Sequence, residues 1–151
     1  MTCQDNEILL NGVLIQMARS FLQYVSECSP WVSVDAASDE SQINVLAARQ
    51  RQDVADIAAL LDSREHHIDF GTFPTEYTDQ QFLSLSSVMG GLKRSHESVC
   101  NRIGNAVVSL RTSGDSEASD LLSTVESHER DILRAMNEIE KTLAAHSSTT
   151  A

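Results

Sequence analysis

A chain of 151 residues is long enough for one domain with a sizeable core and too short for two ordinary ones. Its 11 basic and 22 acidic residues give a formal net charge of -11. So acidic a surface repels phosphate backbones and anionic lipid, which excludes nucleic acid and membrane as expected partners and leaves cation binding open. Aromatic residues, glycine and proline are scarce, a mixture that favours helix over sheet. The cysteines Cys3, Cys28 and Cys100 are odd in number and form no CxxC pair. The expectation is therefore free thiols in a reducing cytoplasm rather than a disulfide framework. No apolar run reads as long enough to span a bilayer, and the polar, acidic Met1–Glu7 start does not read as a secretory signal.

The first helix is expected over residues 6–29. Its seam is Leu10, Leu14, Met17, Phe21, Tyr24 and Cys28, and Pro30 marks its end. Trp31, Val32 and Val34 follow and are expected to plug one end of the core. The second helix is expected over residues 40–67, capped by Ser38 or Asp39. Ile43, Leu46, Ile57 and Leu60 form its stripe, and Gln50 and Asp53 interrupt it near the middle. His66 and His67 close it, where imidazolium suits the negative pole. The connection from Ile68 to Thr78 contains Gly71 and Pro74, which forbid continuous helix. It also contains Phe70, Phe73 and Tyr77, so it is expected to fold over the bundle end.

Thr78 and Gln81 form a capping box, and the third helix is expected over residues 79–111. Its stripe runs through Phe82, Leu85, Met89, Leu92, His96, Val99, Ile103, Ala106 and Leu110, with one histidine among apolar neighbours. Gly90 and Gly91 lie inside it and together cost about 2 kcal/mol relative to alanine. A kink, a bulge or a close helix contact is expected to compensate. Gly114 stops this helix, and the fourth is expected over residues 116–146. Its stripe is Ala118, Leu122, Val125, Glu129, Ile132, Met136, Ile139 and Leu143, with Glu126 one turn before Glu129. Four such stripes and no sustained alternation predict a single all-α, antiparallel up-down-up-down four-helix bundle.

In an antiparallel bundle the helix midpoints share one level. Gln50 and Asp53, His96 with Glu97 beside it, and Glu126 with Glu129 are then expected in one central layer. Three readings of that layer stand open. The first is a metal-free buried polar network, His96 bonding Asp53 or Glu129 with arginines reaching in from the flanks. The second is a site for one divalent ion (Zn, Fe or Mn). Asp53, His96, Glu126 and Glu129 would be its donors, with Gln50 or Glu97 as outer contacts. The third is catalysis by the paired Glu126 and Glu129 carboxyls. His128 lies beside the stripe and is expected at the surface. Cys100 reads as a packed thiol. A phosphotransfer histidine in the Gly90–Ser98 stretch is disfavoured because His96 falls on the apolar stripe. No Gly-rich phosphate loop, GxSxG, HExxH or EF-hand loop occurs.

The arrangement resembles the ferritin-like superfamily, the group of bacterioferritin and rubrerythrin. In its di-iron members the second and fourth helices each carry Glu-x-x-His, and the first and third each supply a Glu. Leu22–Val25, "LQYV", resembles the Gln-Tyr stretch after the family's first ligand, which aligns Met17 with that ligand. Gln50 and Asp53 stand where Glu and His would be in the second helix, and Glu126 and Glu129 do so in the fourth. His96 or Glu97 occupies the third-helix region. The resemblance implies a ferritin-like fold and dimerisation through the first two helices. With the pairs so altered, the chain is expected to be no working ferroxidase and no enzyme. The expectation is then a bundle that holds one divalent metal, alternatively a metal-free interaction or regulatory module, and as a third option a di-metal oxidoreductase.

Overall fold

The computed structural model describes residues 3–28, 37–75, 77 and 84–149. All regular structure among them is helical: α1 (Cys3–Ala18), α2 (Phe21–Cys28), α3 (Ala37–Ser63), α4 (Leu85–Thr112) and α5 (Ser116–Thr149). The four expected rods are present as an all-α bundle, the first in two pieces. Trp31, Val32, Val34 and the Thr78–Gln81 capping box lie outside the described residues.

The break between α1 and α2 corrects the single helix expected over residues 6–29. Arg19 still reaches the carbonyl of Ile15, but the Ser20 amide tightens onto Met17 at 3.3 Å. Ser20 then starts the next helix, its carbonyl accepting from Tyr24 and its hydroxyl from the Gln23 amide at 3.4 Å. Serine suits this position because its oxygen satisfies a backbone donor that the first helical turn leaves unpaired.

The second rod spans residues 37–63 instead of 40–67. Ser38 and Asp39 fall inside its first turn. Its end is a left-handed turn at Glu65, φ 56°, with His66 N–H donating to Leu61 and Glu65 N–H to Asp62. This Schellman geometry puts His66 and His67 beyond the helix. The third rod begins at Leu85 with Ser84 as its cap. It ends in the same motif, with Gly114 at φ 80° and Asp115 N–H donating to Leu110. Asp115 then caps α5 by accepting from the Ala118 amide at 3.2 Å.

The core is divided into two apolar clusters. One gathers Leu10, Leu14, Met17, Val54, Ile57, Leu61, Val99, Ile103, Leu110, Leu122 and Val125. The other gathers Phe21, Leu22, Ile43, Ala47, Leu85, Met89, Leu92, Ile132, Met136 and Ile139. Each rod crosses from one cluster to the other at a buried polar residue. The crossing falls at Ser20 between Met17 and Phe21, at Gln50 and Asp53 between Ala47 and Val54, at His96 between Leu92 and Val99, and at Glu129 between Val125 and Ile132. Each fully buried Leu or Ile contributes roughly 1.5–3 kcal/mol, so the two halves supply the driving force and the layer between them supplies none of it.

α4 and α5 share the most extensive contact. Their pairs run in opposite senses along the two helices: Lys93 with Glu140, His96 with Glu129, Arg111 with Ser123. One end is clasped by Asp115, which takes both Arg64 guanidinium nitrogens at 2.7 and 2.9 Å and the Asn6 amide at 3.1 Å. The Arg64 guanidinium holds the Asp115 carboxyl below the usual range. The loop after α3 is strapped across the rods by two Asn11–Asp69 hydrogen bonds and by Arg19 donating to the carbonyls of Phe70 and Gly71. Phe73 and Tyr77 pack on Phe21 and Tyr24 with ring centroids 5.0–5.4 Å apart, so the loop aromatics cover α2 while Phe70 stays exposed.

The stretch Gln4–Cys28 is long and apolar enough, by length and composition, to cross a membrane. This corrects the expectation that no such run exists. In this fold 61% of its apolar window is buried inside the bundle.

Gly90 and Gly91 lie within an unbroken α4. A Cβ on Gly91 would meet the Phe21 ring at 3.6 Å, ordinary van der Waals contact, and one on Gly90 would meet only the tip of Arg94 at 3.3 Å. No backbone crowds either position, so the expected close helix contact is absent and their cost stands uncompensated. Gly91→Ala is expected to stabilise the fold by about 1 kcal/mol, raising the melting temperature by roughly 3 °C, as thermal unfolding followed by circular dichroism would show.

Candidate functional site

The central layer contains four of the six sequence candidates. Gln50 and Glu129 are 0% exposed, His96 1% and Asp53 2%. The other two depart from expectation. Glu97 is exposed on α4. Glu126 leans out over Gly104, where a Cβ would stand 2.7 Å from its Oε2, and pairs with Arg130 at 3.0 Å. The slot left by a glycine and a cation one turn along draw it away from Glu129.

His96 Nε2 lies 3.0 Å from the Glu129 main-chain carbonyl. A carbonyl only accepts, so Nε2 carries the proton and Nδ1 is bare. That Nδ1 has no hydrogen-bond partner among the described residues. Burial pushes the imidazole pKa down to about 4, against a small upward pull from the same carbonyl, so His96 is neutral at physiological pH. Burial also pushes the Glu129 carboxyl up to about 8, helped by the nearby Asp53 charge and opposed by Gln50 and Arg49. Glu129 is therefore largely protonated at neutral pH. The 3.6 Å approach of His96 Nε2 to Glu129 Oε2 is a contact between two neutral groups and not an ion pair.

Asp53 is the layer's second carboxyl. His128 Nδ1 donates to its Oδ1 at 2.8 Å, which corrects the expectation of a surface role for His128. The imidazole is half-exposed, so Asp53 is reached from solvent through it. Burial raises the Asp53 pKa and the His128 hydrogen bond pulls it part of the way back. The expected arginines do not enter the layer; Arg130 is engaged with Glu126.

Ser20 and Gln23 were not among the sequence candidates, yet they complete the network. The Ser20 hydroxyl donates to Gln50 Oε1 at 2.8 Å, and Gln23 Nε2 donates to the same oxygen at 2.9 Å and to the Ala47 carbonyl at 2.8 Å. Arg51 closes the outside by donating to Gln23 Oε1 at 3.0 Å. With Oε1 doubly occupied, the Gln50 amide nitrogen is left without a hydrogen bond, as are both Glu129 carboxyl oxygens. Gln50 thus lies close enough to lower the Glu129 pKa without making a hydrogen bond of ordinary geometry. Ser20-x-x-Gln23 is itself a capping-box pattern, the local signal that announces the break.

As a metal centre the candidate set does not close. Among the described residues no three His, Cys, Asp or Glu side chains gather as metal ligands. Asp53 is engaged with His128, and Glu126 has left for Arg130. Cys100 is buried one turn beyond His96, and burial pushes its thiol up to about 11, so it is unreactive at neutral pH. Compared with protein-family models, curated proteins and solved structures, the chain matches none.

Two of the shifted groups, Glu129 and His96, shape the pH dependence of stability around neutrality. Glu129 has a folded pKa of about 8 against an ordinary 4.5, so the folded state binds the extra proton and stability falls as pH rises through that window. His96 has a folded pKa of about 4 against an ordinary 6.5, so stability rises with pH there. The two oppose between 4.5 and 6.5, and from 6.5 to 8 Glu129 acts without that opposition. Stability is expected to fall across pH 6.5–8 by up to about 1.4 kcal/mol per unit, and Glu129→Gln is expected to flatten that slope. Urea unfolding at closely spaced pH values measures both.

Proposed function

We propose that this chain is a metal-free helical interaction module, an antiparallel up-down-up-down four-helix bundle of ferritin-like arrangement. Its central layer sets the register of the rods, and a second copy of the chain is the first partner to test. The observation that carries this reading is the geometry of the carboxyls. Asp53 and Glu126 are turned to separate partners, His128 and Arg130, away from Glu129, whose pKa burial raises. Divalent-ion binding requires ionised carboxylates converging on one point. Catalysis by Glu126 and Glu129 as a pair loses its geometry, because the two point to different neighbours. A buried polar layer retained at a cost in stability is a known device for fixing how helices align.

Two measurements test the reading. Elemental analysis of protein grown with added zinc, iron and manganese is expected to find no stoichiometric metal. Near-stoichiometric metal that Glu129→Ala abolishes would establish the metal reading instead. Glu129→Met is expected to raise stability at pH 8 by roughly 1–4 kcal/mol while loosening the bundle's uniqueness. Sedimentation equilibrium reads self-association, and two-dimensional NMR reads whether one set of resonances gives way to several. A destabilised Glu129→Met protein would remove the basis for the proposal.

A further inference from the structure

Outside the polar layer, a cleft of about 330 Å³ lies between α1, α4 and the strapped loop. Among the described residues none that lines it is acidic, in a chain of net charge -11, and two of them are Arg19 and Arg102. Hydroxyls from Ser95, Ser98 and Thr72 face the same space, and Ile15, Val99 and Pro74 supply an apolar wall. Ser20, at the break between α1 and α2, also lines it.

The two guanidiniums are held differently. Arg19 is fixed: its Nε donates to the Phe70 and Gly71 carbonyls, and its guanidinium stacks on the Phe73 ring at 5.0 Å. Arg102 lies across α1 in the space left by Gly12, where a Cβ would stand 2.7 Å from its Nη2. It is exposed, and no carboxylate among the described residues pairs with it. Gln16 bridges the two helices by donating to Ser98 Oγ at 3.5 Å, and its Oε1 is buried without a partner among the described residues. The cleft therefore offers a fixed cation, a free one, hydroxyl donors and one unused acceptor.

We propose that this cleft is a binding site for a small organic oxyanion, a molecule carrying a carboxylate or phosphate group beside a hydroxyl. The anionic group is taken by Arg102 with the Ser95 and Ser98 hydroxyls, since planar guanidinium donors match the two oxygens of such a group. The ligand's hydroxyl supplies the donor that Gln16 Oε1 lacks, and its carbon skeleton rests on Ile15 and Val99. Elsewhere on so acidic a protein an anion is repelled; here none of the described lining residues carries a carboxylate. The site does not depend on the reading of the polar layer, although Ser20 borders both.

The test uses isotope-labelled protein titrated with inorganic phosphate and, separately, with malonate, at constant ionic strength against a chloride control. Saturable shifts of the Ser20, Ser95 and Ser98 amides are expected with at least one probe, and Arg102→Gln is expected to weaken that binding about tenfold or more. Saturation by phosphate alone assigns a phosphoryl ligand, and by malonate alone a carboxylate. In chloride, Arg102→Gln should melt where the parent does; should it not, Ser98→Ala carries the same comparison. Failure of both probes to saturate, or equal binding by parent and variants, overturns the proposal.

Discussion

The structure turns on the desolvation of one carboxyl. Glu129 lies at the centre of the bundle with no route to water, and an ionised carboxylate there costs several kcal/mol unless a cation pairs with it. The fold brings no cation to it and instead surrounds it with neutral groups, His96 and the Gln50 amide. The heart of the layer is therefore neutral, with the Asp53 carboxyl held by His128 at its edge. Its unmet hydrogen-bonding capacity, on Glu129, Gln50 and His96, carries a penalty of roughly 1–3 kcal/mol per group.

That penalty explains how the rods are held in place. Sliding α5 by two turns against α4 would set Glu129 opposite apolar Met89 or Ile103 and leave His96 against Leu122 or Met136. Both polar groups would then lose their few contacts. Apolar packing alone discriminates weakly between such registers, because one leucine-rich turn resembles the next. The layer discriminates strongly, since all rods cross between apolar clusters at their polar residues. The Asp115–Arg64–Asn6 clasp repeats the logic at one end, where partial exposure makes the charged version affordable.

The bundle was legible because its apolar stripes are long and regular: nearly every seam residue read from periodicity is buried. The same periodicity exposed Gln50, Asp53, His96 and Glu129 as interruptions, and all four are in the layer. Glu126 escaped that logic. It sits a turn before Glu129, but three residues on a helix leave it some 60° off the stripe, and Gly104 across the interface gives it a way out. His128 reached Asp53 through a tertiary contact that no local pattern encodes. Ser20 and Gln23 did carry a signal, but the apolar run through Phe21 and Leu22 masked it. The end of α3 was misplaced because its left-handed residue is Glu65 and not a glycine.

The character of the layer follows from its donors. The causes that hold a proton on Glu129, burial and the neighbouring Asp53 charge, would equally favour a cation beside it. A proton needs one oxygen, whereas a divalent ion needs several ionised donors converging on one point. Gln50 brings an amide and no charge to the layer, and the Glu126 carboxylate turns away toward Arg130. The His128 bond removes the freedom of Asp53. Burial raises the Glu129 pKa to about 8, and a layer that gains or loses one proton couples the bundle's stability to pH.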